Sequence, residues 1–333
     1  MPTYFVTGGT GFVGSRLLRE LCRNDNRVRC LTRHPDPARS AEPSVEWIEG
    51  DLTDTGKYLR FLRDTDYVLH LAGTLTARRE KDFYDTNVRG TEALLNACRQ
   101  VSAPLKRIVH MSSIAAMGPN YQGRLLRETD ACHPQSIYGM SKYQGELVVR
   151  NAAASLPVVI LRPSFVYGGG DMRTAGYLRS FLAGVPAFPM HLIKTVSVCH
   201  VSDVVRSCLL TMSAEVDSGE VFIVSDPEPY GWERILGILD KALEEIAGVA
   251  RPEPLSNLRG LQHFETLEGL HAPPRRQQSW GCDTGNAECR LGFRPAVTLH
   301  DGIREAVLWC CREGYFDGPG NPTPRTIVQG DML

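Results

Sequence analysis

The chain has 333 residues, of which 42% are hydrophobic, and 37 basic side chains nearly balance 38 acidic ones, so that the formal net charge is −1. This length can bury a large core shared between two lobes, and the charge balance gives no reason to expect nucleic acid or an anionic membrane as a partner. Apolar residues nowhere run for the roughly 18 positions that a membrane span needs. Ten scattered cysteines predict a cytoplasmic protein without a disulfide framework, and none of their spacings predicts a metal site.

A glycine-rich turn follows the first predicted strand. The apolar run Tyr4–Val6 predicts the strand, Thr7–Gly14 forms the turn, and the apolar spacing of Phe12–Cys22 predicts a helix. Three glycines at intervals of three suit a tight turn, close backbone approach to a pyrophosphate and close helix packing, while the first helical N–H groups would face the phosphates. Such turns also occur without ligands, so the strand-to-helix context carries this prediction of a dinucleotide site. The residues assigned to the cofactor here are Gly8, Gly11, Phe12, Val13 and Gly14.

Predicted strands and helices alternate through the first two thirds of the chain. The later strands are Val28–Leu31, Val45–Ile48, Tyr67–Leu71, Arg107–Met111 and Val158–Leu161, and the longer helices between them are Phe83–Arg99 and Ile137–Asn151. That order predicts an α/β fold, a Rossmann-type doubly wound parallel sheet covered by helices on both faces.

The regular alternation ends after Arg162, which suggests a second lobe. We predict a dinucleotide-binding domain over residues 1–165, to which elements near 196–225 return, a substrate lobe mainly over 166–315, and a flexible tail over 316–333. The segment Arg251–Gly281 is rich in Pro, Arg and Gln and permits no element assignment. Further helices are predicted over Val201–Met212, Gly231–Ala247 and Leu299–Arg312.

The end of the second predicted strand bears on the choice between NAD(H) and NADP(H). An acidic residue there would bind the free 2′-hydroxyl of NAD, but the strand ends Cys30–Arg33, and the Arg33 guanidinium suits a 2′-phosphate. NADP(H) is therefore favoured, with Arg16 as a second candidate cation, and NAD(H) stays open because Arg33 also fits a solvated loop. Asp51–Leu52, after the third strand, is assigned to the adenine end, although Asp51 also fits a helix cap.

Three side chains form a candidate catalytic group. Tyr138 and Lys142 are four residues apart in a predicted helix and therefore share a face, and Ser112–Ser113 ends the fifth strand. A carbonyl that accepts hydride develops negative charge on oxygen, which a placed donor must protonate. Tyr138 is the candidate acid, because the Lys142 ammonium and an oxidised nicotinamide would lower the phenol pKa from its ordinary value near 10.

Together these motifs resemble the extended short-chain dehydrogenase/reductase superfamily, which carries a Thr-Gly-x-x-Gly-x-x-Gly turn, an active-site Ser or Thr and a Tyr-x-x-x-Lys pair. The similarity extends through Asn87–Thr91, His200–Val204 and Asp301–Arg304, and so covers nearly the whole chain to Tyr315. Within the superfamily, the sequence most resembles hydroxysteroid dehydrogenases and dihydroflavonol-reductase-like members.

The resemblance implies roles for individual residues. Ser113, Tyr138 and Lys142 would be catalytic, with Ser113 binding the substrate oxygen and Lys142 the nicotinamide ribose, while Ser112 lies nearer the nicotinamide. Asn87 would either support a water relay or have a structural role. The structural role is the commoner one for a helical asparagine that faces a strand. Segments at His70–Gly73 and Leu161–Gly168 match the superfamily, and the cofactor contacts assigned from these features are Ala72, Gly73, Ser112, Tyr138, Lys142, Pro163 and Val166.

Two departures from the superfamily pattern reduce the number of reactions that fit this sequence. Sugar dehydratases usually place Asp-Glu after the active-site hydroxyl, where this chain has Ile114–Ala115. Nucleotide-sugar enzymes commonly have an arginine before the His-Val-x-Asp segment to grip a pyrophosphate, and Lys194–Cys199 contains none. The apolar segment Phe181–Met190 suits a pocket for a hydrophobic carbonyl compound, although core packing would give the same composition.

These features favour an NADPH-dependent oxidoreductase that reduces a ketone or aldehyde of a hydrophobic small molecule, or oxidises the secondary alcohol. A nucleotide-sugar epimerase with retained NAD is the alternative, followed by a non-catalytic dinucleotide-binding protein. A homodimer through the helices of Asn87 and Tyr138 stays open, since apolar helix faces fit either the sheet or a partner.

Overall fold

The computed structural model describes residues 1–23, 26–35, 44–101, 105–182, 193–248 and 278–315. The described strands are β1 (Thr3–Thr7), β2 (Arg27–Thr32), β3 (Val45–Glu49), β4 (Tyr67–His70), β5 (Arg107–Met111), β6 (Val158–Pro163), β7 (Phe165–Tyr167), β8 (Ile193–Val196), β9 (Val198–His200), β10 (Val221–Val224) and β11 (Gln278–Trp280). The described α-helices are α1 (Phe12–Cys22), α2 (Thr55–Leu62), α3 (Glu80–Tyr84), α4 (Thr91–Arg99), α5 (Ile137–Ala152), α6 (Met172–Leu182), α7 (Val201–Ser213), α8 (Trp232–Ala242), α9 (Gly285–Leu291) and α10 (Leu299–Arg312).

Seven parallel strands form the main sheet in the order β10-β6-β5-β4-β1-β2-β3. All residues of β1 and β6 are buried, as expected for strands that helices cover on both faces. The chain order reverses at β1, which pairs with β2 on one side and with β4 on the other. Ligands of doubly wound sheets bind at the carboxyl ends of the strands beside this reversal, so the topology alone indicates where to look for a site. The predicted Rossmann-type α/β fold is confirmed.

The second lobe is built from short strands and helices beside the carboxyl edge of the sheet. β8 pairs with β11, and β7 pairs with β9, each in parallel. β10, from the region predicted to return to the sheet, pairs with β6. One hydrophobic cluster joins helices of this lobe through buried residues such as Leu178, Leu239 and Ile303, while two further clusters cover the faces of the main sheet.

Two predicted helices differ from those observed. The helix predicted over Phe83–Arg99 begins at Glu80 and is interrupted by a π-helical turn over Asp85–Gly90. The helix predicted over Gly231–Ala247 begins at Trp232 and becomes π-helical over Leu243–Ala247. Apolar periodicity locates a helical segment but does not distinguish i→i+4 from i→i+5 hydrogen bonding.

Three predictions fall wholly or partly outside the described residues. They concern the tail over 316–333, residues 183–190 of the apolar segment, and residues 251–277 of the unassigned segment. The end of the unassigned segment contains β11. Within the described ranges, no helix combines the length and apolar character that crossing a membrane requires.

Candidate active site

One cavity of about 1250 Å³ extends from the glycine turn into the second lobe. It opens along the carboxyl ends of the main strands, where the topology places a ligand site. The residues that the sequence assigned to the cofactor or to catalysis line it, apart from Arg16, the second candidate cation, and Asn87, the candidate for a water relay. Those that line it are Gly8, Gly11, Phe12, Val13, Gly14, Arg33, Asp51, Leu52, Ala72, Gly73, Ser112, Ser113, Tyr138, Lys142, Pro163 and Val166. The fold therefore brings the predicted residues together, and their individual roles stay predictions.

The glycine turn has no room for side chains at two of its positions. Gly8 has a φ of 74°, and a Cβ added there would lie 2.5 Å from the backbone nitrogen of Ala72. A Cβ at Gly14 would lie 2.1 Å from the carbonyl oxygen of Gly8. The turn is closed by a 3.1 Å hydrogen bond from the Gly11 nitrogen to the same oxygen. Close packing of backbone on backbone therefore sets the shape of this end of the cavity.

The start of α1 is suited to bind an anion. Its N-cap residue is Gly11, which has no side chain to occupy the first N–H groups, and the first turn contains no acidic residue. Phe12 and Val13 of that turn line the cavity. Unoccupied N–H groups and the positive end of the helix dipole fit the pyrophosphate of a dinucleotide.

Arg33 and Asp51 lie at the outer end of the cavity, after β2 and β3. Arg33 is exposed. Asp51 Oδ1 accepts hydrogen bonds from the nitrogen and Oγ1 of Thr53, at 3.0 and 2.7 Å. These bonds hold the pKa of Asp51 below its ordinary value against the opposing effect of burial, and the positive charge of Arg33 adds to the lowering. Asp51 thus closes a local turn at Thr53 and lines the cavity, but it does not cap a helix as the alternative interpretation expected, because α2 begins at Thr55 with Asp54 as its N-cap.

Arg16 does not lie with Arg33, so its assignment as a second cofactor cation was wrong. Its Nη2 donates to the Gly169 carbonyl at 2.7 Å and to Glu305 Oε1 at 2.5 Å. Glu305 also contacts His200 Nε2 at 2.7 Å. Arg16 therefore connects α1 to α10, because its helical position directs it towards the second lobe rather than towards the end of β2.

Tyr138 and Ser113 face each other in the middle of the cavity. α5 begins at Ile137, and Ser136 caps it by accepting a 3.0 Å hydrogen bond from the Gly139 nitrogen. Ser113 Oγ accepts a 3.1 Å bond from the Ala115 nitrogen, and its hydroxyl lies near that of the half-buried Tyr138. Burial raises the pKa of Tyr138, while the Ser113 hydroxyl and the positive charge of Arg173 act in the opposite direction. The lowering of this pKa predicted from Lys142 is not observed, because burial outweighs the opposing effects.

Lys142 lies one turn after Tyr138 and is buried beneath it. Its Nζ donates a 2.6 Å hydrogen bond to the Met111 carbonyl at the end of β5. Burial lowers the pKa of Lys142 from 10.5 to about 8, against the opposing charge of Glu146. The ammonium thus remains mostly protonated at neutral pH, with further N–H donors for the sugar hydroxyls of a cofactor.

A buried ion pair anchors the helix that carries Tyr138 and Lys142. Arg162 Nη2 and Nε contact the two carboxylate oxygens of Glu146 at 2.6 and 2.9 Å, and both side chains are buried. Ser112 Oγ donates to Glu146 Oε1 at 2.5 Å. Sequence reasoning missed Glu146, although its position one helical turn after Lys142 was a usable signal.

Asn87 has a structural role in the observed geometry. Its Nδ2 donates to Ser141 Oγ at 2.8 Å and to the Thr74 carbonyl at 3.1 Å, and its Oδ1 accepts from the Thr74 nitrogen at 2.8 Å. The side chain thus ties the loop after β4 to α5, and both amide hydrogens are engaged. Asn87 lies within the π-helical turn Asp85–Gly90.

The second-lobe end of the cavity is largely apolar. Its walls come from α6, β8, α8, β11 and α10, and the apolar side chains that face it include Leu178, Phe181, Ile193, Trp232, Ile235, Trp280 and Ile303. Asp171 and Arg173 also line this end, and neither was identified from the sequence. The cavity therefore joins a polar cofactor end to an apolar end, with Tyr138 and Ser113 between them.

The chain is similar to known proteins over most of its length. A family model described as "NAD dependent epimerase/dehydratase family" matches residues 4–225. The chain is 29% identical to a putative dihydroflavonol 4-reductase of Synechocystis, with 94% of this chain and 86% of that protein covered. It is 28% identical to a UDP-glucose 4-epimerase of Vibrio cholerae, with 92% and 95% covered.

A solved structure shares both the fold and the cofactor class. The structure of MoeE5 in complex with UDP-glucuronic acid and NAD covers 93% of this chain and 99% of its own, with 27% identity and a TM-score of 0.75. The family model spans more than half of the chain and includes the glycine turn, Ser113, Tyr138 and Lys142. The chain therefore belongs to the NAD dependent epimerase/dehydratase family, within the extended short-chain dehydrogenase/reductase superfamily, and is an enzyme of that family with a nicotinamide dinucleotide cofactor.

Proposed function

We propose that the protein is an NADPH-dependent oxidoreductase that reduces a ketone or aldehyde of a hydrophobic small molecule, or oxidises the corresponding secondary alcohol. The observation that carries the proposal is that the Tyr138 and Ser113 side chains line the same cavity, where its cofactor end meets its apolar end. A carbonyl carbon bound there has a proton donor beside its oxygen and apolar walls around its substituents.

Each side chain of the site has its own role in the proposed reaction. A bound NADPH supplies the hydride. Ser113 holds the substrate oxygen in place, and Tyr138 donates the proton that neutralises this oxygen as its negative charge develops. The Lys142 ammonium, held by the Met111 carbonyl, favours the phenolate that remains on Tyr138 after the transfer. The buried Glu146–Arg162 ion pair joins α5 to β6, and Glu146 accepts a hydrogen bond from Ser112. These contacts hold Ser112 and α5 in fixed positions relative to the sheet.

The preference for NADPH rests on Arg33. It is the exposed cation that follows β2, the strand next to the glycine strand β1, and it lines the cofactor end of the cavity. A guanidinium there offers a planar pair of donors to a 2′-phosphate.

Replacing the proposed acid tests the chemistry. Tyr138→Phe should lower kcat for reduction of hydrophobic aryl ketones by about 10²–10⁴-fold, the usual contribution of a general acid. NADPH binding, followed by nicotinamide fluorescence, should persist. The matched control is Tyr143→Phe, which removes a hydroxyl from the same helix at a position that does not line the cavity. Turnover by Tyr138→Phe at the wild-type rate would disprove the assignment of Tyr138.

Parallel titrations with NADPH and NADH test the cofactor. The wild-type protein should bind NADPH about tenfold or more tightly than NADH, because a charge-assisted hydrogen bond contributes about 1.5–3 kcal/mol. Arg33→Ala should remove the preference and leave NADH affinity unchanged, whereas Arg60→Ala, on α2 and away from the cavity lining, should keep it. Equal affinity of the wild type for both dinucleotides would contradict the role of Arg33.

A nucleotide-sugar epimerase is the second candidate, and the similarity to MoeE5 and to the Vibrio cholerae epimerase favours it. This function predicts purified protein that retains NAD(H) and interconverts UDP-glucose and UDP-galactose without net cofactor consumption. Stoichiometric NADPH oxidation by a ketone, with no interconversion of the sugars, would decide for the reductase.

A further inference from the structure

Two charged side chains stand out at the apolar end of the cavity. Among the described residues after Pro163 that line it, Asp171 and Arg173 are the only ones with a formal charge at neutral pH. The others are apolar, aromatic or hydroxyl-bearing. A guanidinium among such side chains loses hydration, so its free donors have a strong preference for a ligand with acceptor oxygens.

The surrounding bonds orient the Arg173 guanidinium. The buried Asp171 Oδ1 accepts hydrogen bonds from the backbone nitrogen and from Nε of Arg173, each at 3.1 Å. Thr174 Oγ1 donates to Asp171 Oδ2 at 3.2 Å, which holds the carboxylate in turn. Because Asp171 engages Nε, the two terminal nitrogens are left for a ligand, and the side chain lines the cavity and is 31% exposed. They form a planar fork suited to two oxygens of one carboxylate.

Arg173 shares its cavity with the candidate acid, since Tyr138, Arg173 and Tyr177 all line it. The positive charge of Arg173 also acts on the Tyr138 phenol and opposes the rise of its pKa. One ligand bound in this cavity can therefore contact both the Tyr138 hydroxyl and the Arg173 guanidinium.

We propose, on the basis of the proposed carbonyl reduction, that the substrate is an oxo acid: it carries a carboxylate a few bonds from the reacting carbonyl, and Arg173 binds that carboxylate. The remainder of the substrate is apolar and occupies the second-lobe end of the cavity. Asp171 is a positioning residue that keeps the guanidinium turned towards the carboxylate.

A matched pair of ketones tests this assignment. The substrates are 4-oxo-4-phenylbutanoate and its methyl ester, which share the ketone and the aryl group and differ in charge. Wild-type enzyme should have a KM for the acid about tenfold or more below that for the ester, as the loss of one charge-assisted contact implies. Arg173→Gln should remove this difference by raising the KM of the acid and leaving that of the ester within about threefold. Arg173→Lys should keep part of the preference, because it retains the charge and loses the fork.

The control is Arg179→Gln on the same helix. Arg179 contacts the Tyr315 carbonyl through Nε and does not line the cavity, so its replacement removes the same charge and should keep the preference for the acid. Equal KM values for acid and ester in the wild type, or an acid preference that survives in Arg173→Gln, would overturn the proposal.

A binding measurement separates this proposal from the proposed reaction. In the presence of NADP⁺, 4-phenylbutanoate should bind about tenfold more tightly than 4-phenylbutanol by calorimetry, and Arg173→Gln should abolish the difference. If neither ketone is reduced while this Arg173-dependent preference is observed, the proposed reduction fails and the carboxylate site stands. If UDP binds in an Arg173-dependent manner and 4-phenylbutanoate does not, the anion is a pyrophosphate and the oxo-acid proposal is wrong.

Discussion

The two ends of the cavity are built in different ways. At the cofactor end, the glycine turn contributes contiguous backbone over residues 7–14, where Gly14 packs on Gly8 and α1 begins without a side-chain cap. The substrate end is formed by side chains from several separate elements, among them α6, β8, α8, β11 and α10. The first end tolerates almost no change of residue type at Gly8 and Gly14, whereas the second depends on the size and polarity of many independent residues.

This difference explains which part of the function is general. Backbone donors recognise what all dinucleotides share, so the cofactor end is similar throughout a large family. In the proposed function, substrate choice depends on side chains such as Arg173, Ile235 and Trp280, which lie outside the main sheet. Substitutions that should affect one end of the cavity and leave the other unchanged therefore test this difference between the two ends.

The largest effect is expected from Gly14→Ala at the cofactor end. The added methyl group would lie 2.1 Å from the Gly8 carbonyl oxygen, so the backbone must shift. An overpacking cost of about 3 kcal/mol would weaken NADPH binding about a hundredfold. Fluorescence titration measures this, and thermal unfolding monitors the fold. Gly237→Ala in α8 is the control, because a Cβ there meets nothing within 4 Å. Unchanged NADPH affinity of Gly14→Ala would show that the turn adapts.

A smaller effect is expected from pH at the junction of the two ends. The pKa of Lys142 is lowered to about 8, so its ammonium is mostly charged at pH 7 and mostly neutral at pH 9. Cofactor affinity should fall by up to about tenfold over this interval, because the proposed contact of Lys142 with the ribose hydroxyls is made by the charged form. The pKa of Tyr138 is raised, and burial of His70 lowers its pKa to about 3, so neither titrates there.

Lys142→Met provides the control for this pH effect. It lacks the titrating group, and its weaker NADPH binding should not vary between pH 7 and pH 9. An equal fall in affinity for the variant and the wild type would assign the pH effect to another group.

The smallest effect is expected from Ile235→Ala at the substrate end. Ile235 lines the cavity and is partly buried, so removal of its outer carbons should cost about 1 kcal/mol of substrate contact and raise KM about fivefold. NADPH affinity should be unchanged. Ile238→Ala removes the same atoms from the same helix and hydrophobic cluster without facing the cavity. If both variants alter KM equally, the effect comes from lobe stability rather than from contact with the substrate.

The sequence was sufficient where function depends on contiguous residues. The turn at Gly8–Gly14, the start of α1 at Phe12 and the pairing of Tyr138 with Lys142 on one helical face follow from local spacing alone. The bounds of β5 and α10 agree with the predicted ranges for the same reason, since turns and apolar periodicity define them locally.

Sequence reasoning failed where the partner is distant in the chain. Arg16 bonds Glu305 at the far end of the chain rather than a cofactor phosphate. The Glu146–Arg162 pair joins α5 to β6, and Asn87 Nδ2 donates to Ser141 of α5. Local spacing could have singled out Glu146, one turn after Lys142, but it indicates none of these distant partners.

By itself, the sequence determined the family, the parallel α/β fold, the cofactor turn and the identity of the candidate acid, because each of these depends on residues within a few helical or strand repeats. Only the tertiary structure decided that these groups share one cavity, that Ser113 meets Tyr138, and that Arg173 faces the same space. The physical reason is that a cavity wall is made by side chains from separate elements, whose relative positions are set by packing of the whole sheet and its two lobes.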